Sequence, residues 1–349
     1  MTMISDLKTK YHQLVFKRPS GTSRGVLKTK DSWIIYQSDS DGVRAISEVS
    51  IIEGLSVESS SDVEQELDHI LRSPDQNSLS KISSVRFAQE LLAKSQQGDD
   101  PYGLWNCGFH ADQEPIKING LIWMGDRQFM FDQIKQKLDE GFDCLKLKIG
   151  AIDFNDELEL LAYVRSQFSS DQVELRVDAN GAFDPGDALD KLKRLSEYDL
   201  HSIEQPIKHG QSQAMSQLCA KSPIAIALDE ELIGYSYDTA QQMKLLQDIK
   251  PQYIILKPSL IGGFGQADQW IALAESLDIG WWATSALEAN IGLNAIAQWV
   301  STKSNEMPQG LGTGQLYTNN ISSPLTITDG HLLYHPNKSW DVASFFNEG

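Results

Sequence analysis

The sequence predicts an α/β fold in which a parallel β/α barrel follows a smaller α+β region, and three observations predict it. From about residue 116 onward, short apolar segments alternate with helix-length stretches. Eight such strand candidates occur, and ionisable residues close five consecutive ones. The first hundred residues lack this rhythm altogether. Regular alternation is what parallel strands joined by crossover helices require. An open doubly wound sheet has the same alternation, and strand count alone does not show closure.

The N-terminal region comes first. Residues 11–18 and 32–36 read as strands, with the loop PSGTSRG between them. A serine- and acid-rich stretch around 56–63 leads into a predicted helix at 63–72, and a second helix runs near 81–95. QQGDDPYG at 96–103 gathers Gly, Pro and Asp, residues that break regular structure, and marks the junction. The strand candidates of the barrel are then KINGLIWM, CLKLKIG, VELRVDAN, LHSIEQPI, IAIALDE, YIILKPS, GWWATS and QGLGTG. Helix-length segments such as DELELLAYVRSQF, DALDKLKRLSEY, SYDTAQQMKLLQDI and FGQADQWIALAESL lie between them. After TNNISSP, the pieces LTITDG and HLLYH read as short strands that return towards the N-terminal region.

Bulk properties narrow the function. A chain of 349 residues exceeds the roughly 250 that a β/α barrel takes and leaves room for a second domain. The net charge of −18 would repel nucleic-acid phosphates and anionic lipid, so neither partner is expected. Cys107, Cys144 and Cys219 are far apart and no CxxC occurs. That argues against a disulfide framework and a thiolate zinc site, and makes the cytoplasm the expected location. Residues 1–6 lack the apolar stretch of a signal peptide, and no run approaches the ~18 apolar residues of a membrane span. Nothing in the sequence indicates an oligomeric state.

In a β/α barrel the active site forms at the C-terminal ends of the strands. The second strand candidate ends in Lys146, Leu147 and Lys148, and the third in Asp178, Ala179 and Asn180. The fourth ends in Glu204, the fifth in Asp229 and Glu230, and the sixth in Lys257. The spacing is roughly 25–30 residues, about one βα unit each. A single Asp here would most simply cap the following helix. Three carboxylates (Asp178, Glu204 and Asp229) projecting from neighbouring strands into one space would repel strongly unless a cation joined them. All-oxygen ligation selects Mg²⁺, with Mn²⁺ as a substitute. Lys146 and Lys148, two residues apart, share the inward face while Leu145, Leu147 and Ile149 face the helices. Lys257 enters from the opposite side. The arrangement suits removal of a proton beside a carboxylate of a small-molecule substrate, with the second negative charge stabilised by metal and ammonium groups. Cationic neighbours and burial make a lysine a better base by lowering its pKa.

In this order and spacing LKLKIG, RVDANGAF, SIEQPI, ALDE and ILKPSLIGG resemble the enolase superfamily, muconate-lactonizing subgroup. The resemblance implies a (β/α)7β modified TIM barrel with an α+β capping domain formed by the N-terminus and the C-terminal tail. The implied division is 1–110 for the N-terminal part of the cap, 111–319 for the barrel and 320–349 for the return. Position by position it implies Asp178, Glu204 and Asp229 as metal ligands, Lys148 as base, Lys257 facing it, and Lys146 and Asn180 in support. Softer cues are FKRPSGTSRGVLKTKDSWII, INGLIWMG, Arg176, SALEANIGLNAIAQ and GLGTGQLY. They are similar to a branch of dehydratases in menaquinone biosynthesis, whose substrate is a cyclohexadiene carboxylate bearing a hydroxyl and a succinyl chain.

Further substrate contacts are expected from Arg24 in the loop closing over the mouth, from Arg176, and from Ser285, Gly262 and Gly263 near strand ends. Each has a simpler structural alternative: a hairpin turn, an ion pair, or a turn into a helix. Trp281 and Trp282 read as core. No histidine sits at a matching strand end, which disfavours a Lys/His base pair. Racemases and epimerases of the subgroup are the nearest alternative, because they use the same metal and both lysines. The Asp-x-Asp usual in dipeptide epimerases is absent, since residues 312–315 read GTGQ. N-succinylamino-acid racemisation stays open, as does a muconate-type cycloisomerase. A non-catalytic binding barrel would have eroded strand ends, and here all five are filled.

Overall fold

The computed structural model describes residues 7–22, 25–40, 42–72, 78–235 and 237–347. The chain opens with an antiparallel three-stranded sheet of β1 (Lys8–Thr22), β2 (Gly25–Asp39) and β3 (Gly42–Ser50), in that order. Helices Ser60–Arg72 and Ser83–Ser95 follow. Trp33, Ile35, Ala45 and Val49 of the sheet pack against Val63, Leu67, Val85 and Ala88 of the helices. Residues 45–50 are all buried, so both faces of β3 are covered.

The barrel begins after a short β4 (Ile116–Lys117). Its staves are β5 (Gly120–Ile122), β6 (Cys144–Lys148), β7 (Glu174–Asp178), β8 (Ser202–Glu204), β9 (Ala225–Leu228), β10 (Tyr253–Leu256) and β11 (Gly280–Ala283). They hydrogen-bond side by side in chain order and all run parallel. Residues 309–310 complete the circle. Gln309 N–H donates to Lys117 O at 2.8 Å, and Gln309 O accepts from Asn119 N–H at 3.0 Å. On the other side Gly310 N–H donates to Ala283 O at 2.8 Å, and Gly310 O accepts from Ser285 N–H at 3.1 Å. The sheet is therefore closed, and the open-sheet alternative falls away. An eighth stave this short needs only two residues because its neighbours satisfy both of its edges.

Side-chain alternation then sets inside from outside. Leu145, Leu147 and Ile149 are fully buried under the surrounding helices, while Lys146 and Lys148 face the barrel interior. The register pairs Lys148 with Asp178 and Asp178 with Glu204, which brings three strand-end charges to one level. Beyond the barrel, β12 (Leu325–Thr328) and β13 (His331–Tyr334) form a hairpin that pairs with β4 rather than with the N-terminal sheet. The last helix, Val342–Asn347, reaches that sheet, with Phe346 stacked on Tyr36 at 3.9 Å between ring centres. Among the described residues no helix is long and apolar enough to cross a membrane.

Candidate active site

The ends of β6 to β10 deliver six charged side chains to one place. Lys148 Nζ donates to Asp178 Oδ2 at 2.5 Å and to Asn180 Oδ1 at 2.8 Å. Lys146 Nζ lies 3.0 Å from the same Asp178 oxygen and also donates to Glu204 Oε2. Lys257 Nζ donates to Asp229 Oδ2. The carboxylates are 0–2% exposed and the lysines 7–8%, so the acids form the floor and the amines reach the cavity above it.

Two residues are held in unusual backbone conformations to allow this. Asn180 (φ +44°) and Gln205 (φ +39°) adopt the left-handed region just past their strand ends. The Asn180 N–H caps Asp178 Oδ1 at 2.9 Å, and its side-chain amide donates to Glu230 Oε1 at 2.9 Å. Strain at such positions is tolerated where surrounding contacts over-determine it, and it is common at functional sites.

The electrostatics separate the three lysines. Burial pushes the Lys148 pKa down, and the positive charges of Lys146 and Lys257 assist against the pull of Asp178. For Lys146 burial also acts downward, but Asp178, Glu204 and Asp229 together outweigh it and raise the pKa. Lys257 is likewise raised, because Asp229, Glu204 and Glu230 overcome the effect of burial. Lys148 alone is shifted towards a free amine. Among the acids, burial and the charges of Asp178 and Asp229 drive the Glu204 pKa well above its ordinary value. Burial acts upward on Asp178 as well, but Lys146 and Lys148 dominate and hold it low.

That crowding fits a hard cation. Glu204 Oε1 is buried with no hydrogen-bond partner, and a carboxylate forced towards protonation by two others is relieved by metal. Among the described residues no three acidic, thiol or imidazole groups converge as a ready-made ligand set. Here the lysine amines already engage the oxygens of Asp178, Glu204 and Asp229.

A cavity of about 310 Å³ opens above the charges. Lys146, Lys148, Lys257 and Asn180 line its polar side. Ser285 lines it too, and its hydroxyl lies 2.5 Å from that of Thr313. Other expected contacts fall elsewhere. Arg176 is buried one pleat below Asp178, where its guanidinium pairs with Glu174 at 2.6 Å and donates to Pro308 O at 2.9 Å. It also lies 4.4 Å from the centre of the Trp282 ring. Gly262 and Gly263 (φ +99° and +94°) form the turn into helix Phe264–Glu275 and face Tyr237 and Glu90, not the cavity. A Cβ on Gly263 would stand 2.6 Å from Glu90 Oε2. Arg24 lies outside the described residues, although its neighbour Gly25 lines the cavity. Trp281 is core as expected, whereas Trp282 is core and also part of the cavity floor.

Asn119, Trp123, Leu287 and Thr313 line the cavity without having been singled out from sequence. Thr313 lies just past the eighth stave, so strand-end position could have flagged it. The apolar ones carry no chemical signal that separates a cavity wall from core.

The chain is similar to known proteins over most of its length. The enolase C-terminal domain-like family matches residues 130–337. The o-succinylbenzoate synthase of Desulfotalea psychrophila is 47% identical, over 94% of this chain and 98% of that protein. The crystal structure of MenC from Desulfotalea psychrophila superposes with a TM-score of 0.82 at 43% identity, covering 94% of this chain and 99% of that one. An N-succinylamino acid racemase of an Amycolatopsis species is 29% identical over 58% of this chain and 53% of its own. The chain belongs to the enolase superfamily and within it to the o-succinylbenzoate synthase family.

Proposed function

We propose that this chain is a lyase that dehydrates 2-succinyl-6-hydroxy-2,4-cyclohexadiene-1-carboxylate to o-succinylbenzoate, in the cytoplasm, as a step of menaquinone biosynthesis. The observation that carries the reading is the near full-length similarity to an o-succinylbenzoate synthase, 47% identical over 94% of this chain, joined to Lys148 and Lys257 on facing staves of one cavity. Residues 1–110 and 320–349 would close the mouth of the barrel at 111–319. Asp178, Glu204 and Asp229 would hold Mg²⁺, for which Mn²⁺ would substitute. When bound, the cation would neutralise the second negative charge that builds on the substrate carboxylate.

The chain's own residues do the rest. Lys148 Nζ takes the proton from the ring carbon beside the carboxylate, and the C–H electron pair moves into the carboxylate as an enediolate. That pair then returns to form the ring double bond as the C–O bond breaks on the same face. Lys148 gives its proton to the departing hydroxide, so water leaves and the amine is restored. Lys257, held protonated by Asp229, stays on the opposite face and stabilises the flat anion by charge. Lys146 anchors Asp178 and Glu204, and Asn180 fixes the Lys148 amine against Asp178. Ser285 and Thr313 offer hydroxyls to the succinyl chain.

N-succinylamino-acid racemisation is a second reading, favoured by the same opposed lysines, each of which could serve one face. The test is a side-by-side assay with Mg²⁺. Dehydration appears as new aromatic absorbance, and racemisation as loss of optical rotation. The reading predicts faster dehydration; racemisation without dehydration would overturn it.

A further inference from the structure

The wall of the cavity formed by residues 285–287 is held from behind by buried polar groups that the proposed chemistry does not use. Leu287 lines the cavity at φ +63°, a conformation costly for a branched side chain. Its carbonyl accepts from Tyr317 Oη at 2.7 Å. The next residue, Glu288, is fully buried, and its Oε1 accepts from Ser259 Oγ at 2.5 Å. Ser259 stands two residues beyond Lys257. One side chain thus ties the loop after β11 to the turn that carries Lys257.

The capping sheet supplies the other half. Glu48 of β3, also fully buried, accepts from Ala289 N–H at 2.7 Å and from Gly292 N–H at 2.8 Å. It caps helix Asn290–Ser301 across the domain junction, and Ser32 Oγ donates to it at 2.8 Å. Gly292 makes room for this, since a Cβ there would stand 2.8 Å from Glu288 and 3.1 Å from Glu48 Oε2. Lys30 of β2 is buried beside these acids, where burial pushes its pKa down against the pull of Glu48 and Glu288. The neighbouring barrel unit repeats the device, with Glu90 of the capping domain accepting from Gly265 N–H at 3.0 Å at the start of helix Phe264–Glu275.

We propose that Glu48, Glu288 and Ser259 form a positioning relay through which the capping domain fixes both the Leu287 wall and the Lys257 turn in register for the reaction. Among the described residues Glu288 Oε2 is buried without a hydrogen-bond partner, so the Ser259 hydroxyl on Oε1 is the side-chain contact that orients this carboxyl, and small misplacements of a reacting group are costly in rate. The relay rests on the reading of Lys257 as a catalytic group.

The test uses Ser259→Ala, Glu288→Ala and Glu288→Gln in the full chain. It measures kcat and KM of dehydration per folded molecule, Tm, and hydrogen exchange over residues 285–292. Ser259→Ala removes one hydroxyl and is expected to fold. Both alanine variants should lose about 10- to 100-fold in kcat with a smaller change in KM, and exchange over 285–292 should quicken. Glu288→Gln keeps an acceptor for Ser259 and should restore most of the rate. Alanine variants with lowered Tm but unchanged kcat and unchanged exchange would overturn the relay, leaving only a structural role. A wild type without dehydratase turnover would count against the proposed function instead, and the exchange measurement would then decide the relay by itself.

Discussion

The barrel interior holds two groups of buried charge, separated by about one pleat and built on opposite principles. In the lower group one guanidinium meets one carboxylate: Arg176 pairs with Glu174, covers the face of Trp282 and uses a further N–H on a backbone carbonyl. In the upper group three carboxylates share three lysines, and Asp178 Oδ2 is within 3.0 Å of two amines. The lower arrangement is a charge pair plus packing, which a protein can hold at rest. The upper one is crowded enough to push Lys148 down and Glu204 up while Lys146 and Lys257 are pulled up. Opposed shifts among neighbours are what acid–base chemistry requires and what a structural pair has no use for. What sets the upper group apart is that its shifted groups stand at strand ends, with Lys146, Lys148 and Lys257 lining the cavity.

The comparison breaks most readily at the metal. Chelation of the purified protein should cut dehydration by at least ~10³-fold, with Mg²⁺ or Mn²⁺ restoring it, because the charge on the second carboxylate oxygen is then poorly stabilised. An unchanged rate would remove Asp178, Glu204 and Asp229 from the chemistry. Next in size, Lys257→Met should lower kcat by about 10²-fold, by analogy with loss of one charge-stabilising donor. A much larger loss of N-succinylamino-acid racemisation in that variant would sharpen the picture, since only racemisation asks Lys257 to move a proton.

The lower group should respond in the opposite sense. Arg176→Met leaves Glu174 without its partner and should cost about 3 kcal/mol by denaturant unfolding, the low end for a broken buried pair because Glu174 keeps some solvent contact. The kcat of the folded fraction should stay within about twofold of wild type, since the residue is off the cavity. A collapse in kcat at unchanged stability would make Arg176 part of the site after all. The smallest effect concerns His201, near Trp282 and Tyr253. Burial lowers its pKa, Arg176 assists and Glu174 opposes. The folded protein therefore binds this proton less tightly than the unfolded chain. The stability involved is complete above the ordinary value of 6.5 and is lost as pH falls through the lower folded value. His201→Phe should flatten the acid limb of a stability–pH curve; an unaltered limb would remove His201 from it.

These two groups also show why part of the molecule was legible in the sequence. The eight staves could be read because each is a short apolar run, and five end on a charged residue that an interior strand would not otherwise carry. Alternation puts Arg176 on the same inward face as Asp178. It could not say that Arg176 would bend down to Glu174 while Lys146, at the same register level, bends up to Asp178 and Glu204. That choice belongs to partners supplied by other strands. Gly262 and Gly263 were misassigned for a related reason: their freedom serves a turn against Glu90 from another domain, a contact invisible to local spacing. Strand β3 was not singled out because its two buried faces carry Ser47, Glu48 and Ser50, polar residues whose partners lie in helix Ser83–Ser95, in the barrel and on β2. Helix Asn290–Ser301 was equally hard to read, since residues 290–300 are all buried and no amphipathic period remains.

The decisive measurement is the rate of aromatic product formation by Lys148→Ala with Mg²⁺, beside wild type at equal folded concentration. With Lys148 as the base that starts the reaction, turnover should fall below about 10⁻³ of wild type, while circular dichroism and affinity for o-succinylbenzoate are retained. Turnover at the wild-type rate in a folded variant would contradict the mechanism at its first step.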